Sequence, residues 1–227
     1  MASQETSRVF VRPYRPEDRE AVYDICVRTG DDGADATGKF EYPEILPDTY
    51  TGPYLFLQPD LAFVLAADDR AVGYVLGTAN TQQFVEAYLR NWLPKVAANY
   101  PSPPPRPATP DEGAIARLYQ PEQMLRPWLE EYPAHLHIDV LPPYQGAGHG
   151  RRLIETFFAA ASGAGAPGAH VGVSAGNGRA HGFYLKVGFQ RLPAPYDPSV
   201  VYYGHTLSPP AGPAQAQPAQ AANAAQG

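Results

Sequence analysis

The stretch Gln145-Gly-Ala-Gly-His-Gly-Arg-Arg152 is where residue types and spacing speak most directly of chemistry. It follows an alternating run, His135 to Val140, and opens an amphipathic run, Arg151 to Ala161. The order strand, glycine-rich turn, helix lets main-chain N–H groups at a helix start point together at a phosphate, and a pyrophosphate is the natural guest. Glycine is needed because a Cβ would hold the backbone off the ligand. Two familiar nucleotide loops fit the spacing poorly. A dinucleotide fingerprint needs Gly-x-Gly-x-x-Gly and an acid closing the next strand. Here Gly146, Gly148 and Gly150 are spaced Gly-x-Gly-x-Gly, and the run Ala169 to Ser174 ends without an acid. A P-loop needs Gly-Lys followed by Ser or Thr, and Arg151-Arg152-Leu153 stands in that place.

Gln145-x-x-Gly148-x-Gly150, preceded by Val140-x-Pro142, resembles the acetyl-CoA loop of the GNAT acyltransferase superfamily. A second segment strengthens the resemblance. After Ala169 to Ser174 come Asn177, Ala180, Phe183, Tyr184, Lys186, Gly188 and Phe189. They match the superfamily's Asn followed by Ala-x-x-[Phe/Leu]-Tyr-x-[Lys/Arg]-x-Gly-Phe. The resemblance implies an α/β GNAT fold: a mixed central sheet with helices on both faces, its fourth and fifth strands parallel and splayed to admit a pantetheine arm. It implies acetyl-CoA as co-substrate. Gln145, Gly146, Ala147, Gly148, His149, Gly150, Arg151 and Arg152 would then receive the pyrophosphate, with the two arginines adding positive charge. Ile138 and Val140 would pair through the backbone with the pantetheine, and Asn177 would hydrogen-bond it or serve as a turn or helix-cap residue. Ala180, Phe183 and Lys186 belong to the same coenzyme motif. Tyr184 takes the place of the general acid that serves the leaving sulfur; a core aromatic on the helix is its other reading.

Acetyl transfer to an amine also needs a base. Asp139 shares one strand face with His135 and His137, while Leu136, Ile138 and Val140 take the other. Its carboxylate is the candidate, acting directly or through water; capping a loop or pairing with a basic residue is its other reading. Asp31, Asp32 and Asp35 form an acidic loop that would attract a cationic acceptor or simply be solvated. His135, His137, His170 and His181 show no metal-ligand spacing, because His135-x-His137 lacks a third ligand, so no metal is expected. Cys26 sits among Val22, Ile25 and Val27 and reads as a buried structural thiol.

These residues need positioning elements. Arg8 to Arg12 alternates as a first strand, and Pro16 to Thr29 reads as a helix with proline and acids in its first turn. A short helix is expected around Ile45 to Tyr50. Leu61 to Ala67 and Val72 to Ala79 read as strands joined by a tight turn at Asp68-Asp-Arg70. Thr81 to Ala98 reads as helical with Phe84, Tyr88, Leu89 and Trp92 on one side, and Asp111 to Trp128 as one or two short helices. Phe189 to Leu192 and Ser199 to Thr206 close the sheet. The boundaries expected are one domain over 1–207 with an insertion at 81–133, then a disordered tail of small and polar residues over 208–227.

The chain has 227 residues, 44% of them hydrophobic and 18% charged, which describes a globular protein with a real core. A formal charge of −6 argues against general nucleic-acid binding. No run approaches the length of a membrane span and no leader is visible at the start, so a cytoplasmic location is expected. The single cysteine excludes an internal disulfide.

A narrower resemblance rests on Val11-Arg-Pro-Tyr14, Asp31-Asp-Gly33, Phe63-Val-Leu65 and Gly73-Tyr-Val-Leu-Gly-Thr78. Over roughly residues 8 to 207 the chain resembles the acetyltransferase-like C-terminal domain of animal O-GlcNAcase and its free-standing bacterial relatives. The animal domain lacks the intact glycine loop, whereas this chain keeps Gln145, Gly148 and Gly150. The implied activity is a GNAT-type N-acetyltransferase acting by direct transfer on an amine, either a small molecule or a protein lysine. An acetyl-CoA-binding regulatory module without turnover is the other reading. Neither nucleic acid nor a membrane is expected as a partner, and the oligomeric state is open.

Overall fold

The computed structural model describes residues 8–194 and 197–208. Its strands are β1 Val9–Pro13, β2 Ala62–Ala67, β3 Arg70–Thr78, β4 Ala134–Val140, β5 Gly168–Ser174, β6 Gln190–Leu192 and β7 Val200–Thr206. Its α-helices are α1 Arg19–Arg28, α2 Ile45–Tyr50, α3 Gly52–Leu57, α4 Thr81–Ala87, α5 Leu93–Val96, α6 Pro110–Tyr119, α7 His149–Gly163 and α8 Gly178–Lys186. The strands form one sheet in the order β1-β2-β3-β4-β5-β7-β6. Only β4 and β5 pair in parallel; the other neighbours are antiparallel. The mixed sheet expected from the sequence is therefore present. Residues 1–7 and the expected disordered tail, except Ser208, lie outside the described residues.

Strand alternation decides which helix covers which face. Tyr74 and Leu76 on β3, with His135, His137 and Asp139 on β4, face the side where α1 packs; Tyr74 reaches both Cys26 of α1 and Asp139. Gly73 and Gly77 face the other side, where α7 lies. A Cβ on Gly77 would stand 2.1 Å from the His135 carbonyl oxygen and 2.8 Å from the Phe157 ring. Glycine there lets α7 lie close on the sheet. The helix buries Leu153, Ile154, Phe157 and Ala161, the i, i+1, i+4, i+8 stripe of an amphipathic helix. The β2–β3 hairpin turns at Asp68 and Asp69, whose φ values of 47° and 72° suit a tight turn that matches strand twist.

The insertion is a helical layer against α2 and α3. Asn80 caps α4 by accepting from the Gln83 N–H. The chain then passes through a π-helical turn, Tyr88–Trp92, into α5. Phe84, Tyr88 and Trp92 are buried, but Leu89 is exposed, contrary to expectation. The reason is geometric: at about 100° per residue, five residues beyond Phe84 is about 140° around the helix. Buried Asp48 clasps this layer to α1, accepting from the hydroxyls of Tyr100 at 2.7 Å and Tyr23 at 3.2 Å. Two helices rather than one occupy residues 45–57, the second opened by Pro53.

Candidate active site

β4 and β5 pair only at Ala134 with Ala169 and His135 with His170, then diverge. The opening is a cleft of about 890 Å³ lined by Leu136 to Val140, Val171 to Ser174, the glycine loop and α8. Main-chain direction on β4 follows from one bond. The Leu141 N–H donates to the Val72 carbonyl at 2.9 Å. In an antiparallel ladder bonded and non-bonded pairs alternate, so His135, His137 and Asp139 bond β3 while Leu136, Ile138 and Val140 turn N–H and C=O toward the gap. Val140 gives up its carbonyl to the Gln145 amide nitrogen at 2.6 Å. Ile138 keeps both groups unpaired among the described residues.

The loop beyond is open. Gly146 and Gly148 both have φ of 82°, and nothing stands within 4 Å of where their Cβ atoms would be. α7 is the longest helix described and has no side-chain cap, its N-cap being Gly148. Its first backbone bond runs from Arg152 to Gly148, leaving the amides of Gly146 to Arg151 without a protein acceptor among the described residues. The Gln145 N–H, expected to join them, instead donates to the Pro142 carbonyl at 3.2 Å. Gln145 thus braces the loop with both its main-chain and side-chain N–H groups. Arg151 lines the cleft and donates to the Lys186 carbonyl at 2.7 Å, tying the start of α7 to the end of α8.

Across the gap stand Asp139 and Tyr184, both lining the cleft. The Tyr74 hydroxyl donates to Asp139 Oδ2 at 2.5 Å. Burial raises the Asp139 carboxyl to a pKa of about 7, partly offset by hydrogen bonds from Tyr74 and Thr29. Burial, and then the charge of Asp139, raise the Tyr184 phenol above its ordinary value, so Tyr184 keeps its proton. Its hydroxyl has no hydrogen-bond partner among the described residues, and its ring packs on Phe183, Phe189 and Tyr203. A base poised near neutrality and a protonated phenol in electrostatic contact can move protons at a reacting centre between them.

Of the residues singled out from sequence, the cleft gathers Ile138, Asp139, Val140, Gln145, Gly146, Gly148, Gly150, Arg151, Asn177, Ala180, Phe183, Tyr184 and Lys186. Ala147, His149 and Arg152 are outside its lining; His149 turns its Nδ1 inward, buried and without a partner. The Asn177 Oδ1 is occupied in capping α8 through the Ala180 N–H at 3.0 Å. Among the loop aspartates only Asp32 reaches the cleft, accepting from the Ser174 hydroxyl at 3.2 Å; Asp31 pairs with Lys39, and Asp35 accepts from the Thr37 N–H. Sequence reasoning missed Tyr74 and Thr29 as partners of Asp139. Alternation on β3 could have placed Tyr74 on the right face, but no local signal marks Thr29. Among the described residues no group of three or more His, Cys, Asp or Glu could hold a metal, and no helix is long and apolar enough to cross a membrane.

Splayed parallel strands, an uncapped helix behind a glycine loop, and a carboxylate and a phenol lining one cleft make up the site. The chain belongs to the GNAT acetyltransferase family: residues 34–189 match the model described as Acetyltransferase (GNAT) family. The expected likeness to O-GlcNAcase also holds. The rat protein O-GlcNAcase is 27% identical over 186 residues, which is 81% of this chain and 20% of that protein. The chain therefore spans about a fifth of the length of the curated relatives it matches. The crystal structure of SsHAT shares 47% identity at a TM-score of 0.84, covering 87% of this chain and 98% of SsHAT. yncA of Salmonella typhimurium, solved with its cofactor acetyl-CoA, shares the fold at 13% identity and a TM-score of 0.50, covering 92% and 99%.

Proposed function

We propose that the chain is an N-acetyltransferase that uses acetyl-CoA and passes the acetyl group directly to an amine. The observation that carries this reading is the facing pair: Asp139, with a pKa of about 7, and protonated Tyr184 in one cleft between splayed strands. The residues fit the coenzyme. The free amides of Gly146 to Arg151 suit a diphosphate at a helix start, and the unpaired main chain of Ile138 suits the amides of a pantetheine arm. Arg151 adds positive charge at the same mouth. Bound there, acetyl-CoA supplies an activated acyl group as a thioester.

Asp139 takes the proton that the amine nitrogen loses as its bond to the acyl carbon forms and the carbon–sulfur bond breaks. Tyr184 holds its proton too tightly to act as a strong acid, so its main service is a hydrogen bond to the sulfur as negative charge develops there. The proton that finally rests on the thiol is made up by the one taken at Asp139, through solvent in the open cleft.

Thermal shift with acetyl-CoA, followed by CoA release on a panel of amines, tests the reading. Stabilisation and turnover are expected. The Gly148→Ala variant should lose most of the acetyl-CoA shift at a cost of about 1–2 kcal/mol in backbone strain, because its Cβ meets no protein atom. No stabilisation of the unaltered protein by acetyl-CoA overturns the proposal. Stabilisation without turnover on any amine leaves a coenzyme-binding regulatory module instead.

A further inference from the structure

Behind the cleft, His135 and His137 join a chain of hydrogen bonds whose direction is fixed at one end. The Pro133 carbonyl accepts from the Thr81 N–H at 2.8 Å and from the Thr81 hydroxyl at 2.7 Å. That uses the only proton Thr81 Oγ1 has. Its contact with His135 Nδ1, at 2.7 Å, therefore has the ring N–H as donor. His135 is buried against Tyr54, Phe84, His137 and His170 with no acid in contact, so the ring is neutral and its Nε2 carries a lone pair. The Tyr54 hydroxyl, 2.7 Å away, donates to it. Having spent its proton, the Tyr54 oxygen accepts from His137 Nε2 at 3.1 Å. His137 is thus set as the Nε2–H tautomer. Its Nδ1 holds a lone pair, has no partner among the described residues and belongs to a ring that lines the cleft two residues from Asp139 on the same strand face.

We propose that His137 Nδ1 accepts an N–H of the acceptor amine while Asp139 takes the proton that the amine loses, which makes His137 an acceptor-binding residue. Both side chains stand on the same face of β4 and line the same cleft. Burial also lowers the His137 pKa to about 4, so the lone pair persists at neutral pH. The inference rests on the acetyltransferase reading for its chemistry, but not for its measurement.

The test is ¹⁵N NMR of histidine-labelled protein, with His137 signals assigned by their loss in His137→Gln. Gln at this position keeps a donor toward Tyr54 and offers nothing in place of Nδ1. The unaltered protein should show His137 with a bare Nδ1 and His135 with a protonated Nδ1. n-Butylamine should shift the His137 Nδ1 resonance, whereas tetramethylammonium, of like charge but with no N–H, should not. Tyr54→Phe should leave His137 as a mixture of tautomers. A protonated Nδ1 on His137, no shift with n-butylamine, or equal shifts with both cations overturns the proposal. Acetyl-CoA added to the same sample separates the two claims. Amine response without any acetyl-CoA response refutes acyl transfer alone, and the reverse refutes the amine site alone.

Discussion

Replacing Asp139 by Asn separates what the carboxylate does for catalysis from what it costs the fold. Burial lifts its pKa from an ordinary 3.8 to about 7. The sign follows from proton linkage. Between about pH 4 and 7 the native protein holds a proton that the unfolded chain has released, so this group's contribution falls as pH rises. The penalty is complete above about pH 7 and absent below about pH 4. A rise of about 3 units, at about 1.36 kcal/mol each, bounds it at about 4 kcal/mol. The group borders an open cleft where water reaches it, which brings a working figure to about 2 kcal/mol. Asn cannot ionise, yet its side-chain oxygen still accepts from the Tyr74 hydroxyl. Asp139→Asn should therefore be about 2 kcal/mol more stable than the parent at about pH 8 and equal to it near pH 4. Activity should fall by about 10²–10⁴-fold, and in the parent kcat/KM should rise as pH passes about 7. Urea unfolding of both proteins across this pH range, taken as a difference, cancels every other titrating group. A variant no more stable at high pH than at low pH would refute the claim that burial holds this carboxyl near neutrality, and with it the ground for naming Asp139 the base.

Three further outcomes are checkable. Tyr184→Phe should lower kcat by about 10²-fold while the thermal shift with acetyl-CoA is unchanged; an unchanged kcat removes the phenol from the reaction. His170 is buried with its pKa lowered to about 4, and its Nδ1–H donates to the Tyr132 carbonyl at 2.7 Å. From about pH 6.5 down to 4 the unfolded chain binds a proton this ring refuses, so stability falls with pH there. His170→Asn, which keeps the donor, should shallow that slope by up to about 1.4 kcal/mol per pH unit in urea unfolding. Gly77→Ala should destabilise by about 3 kcal/mol or more, since its Cβ would meet the His135 carbonyl at 2.1 Å; near-parent stability in urea would show that the β4 backbone does not approach Gly77 as closely as described.

The parts of the fold legible in the sequence are those whose signal is local. His135 to Val140 alternates, and so revealed both its strand and the shared face of its polar side chains. Gly146 to Gly150 marked the turn because positive φ and close approach leave glycine few rivals. What escaped depends on contacts between distant segments. Tyr54 sits in a stretch of prolines and aromatics with no motif, yet it touches His135 and His137, more than eighty residues away. Gln145 was legible as a motif residue, but its work as a brace depends on where the Val140 carbonyl points. His149 lies inside the motif and still does not line the cleft. A motif fixes which residues occur, while the helix start decides which way each one faces.

One strand accounts for both halves of the site. On β4 the even-numbered residues Leu136, Ile138 and Val140 turn their main chain toward the gap, as parallel strands that have parted must. The odd-numbered residues His135, His137 and Asp139 bond their main chain to β3 and present side chains on the α1 face. The proposed coenzyme contacts and proton chemistry therefore follow from one period-two alternation, offset by a residue. The register that keeps them apart is set by Gly73 and Gly77, which stand opposite Val140 and Leu136 with no room for a Cβ. A slip of one residue would send Asp139 toward α7 and turn its main chain into the gap. The proposed catalytic assignment is thus a statement about strand register as much as about residue type, and the two glycines of β3 bear on the site although neither lines the cleft.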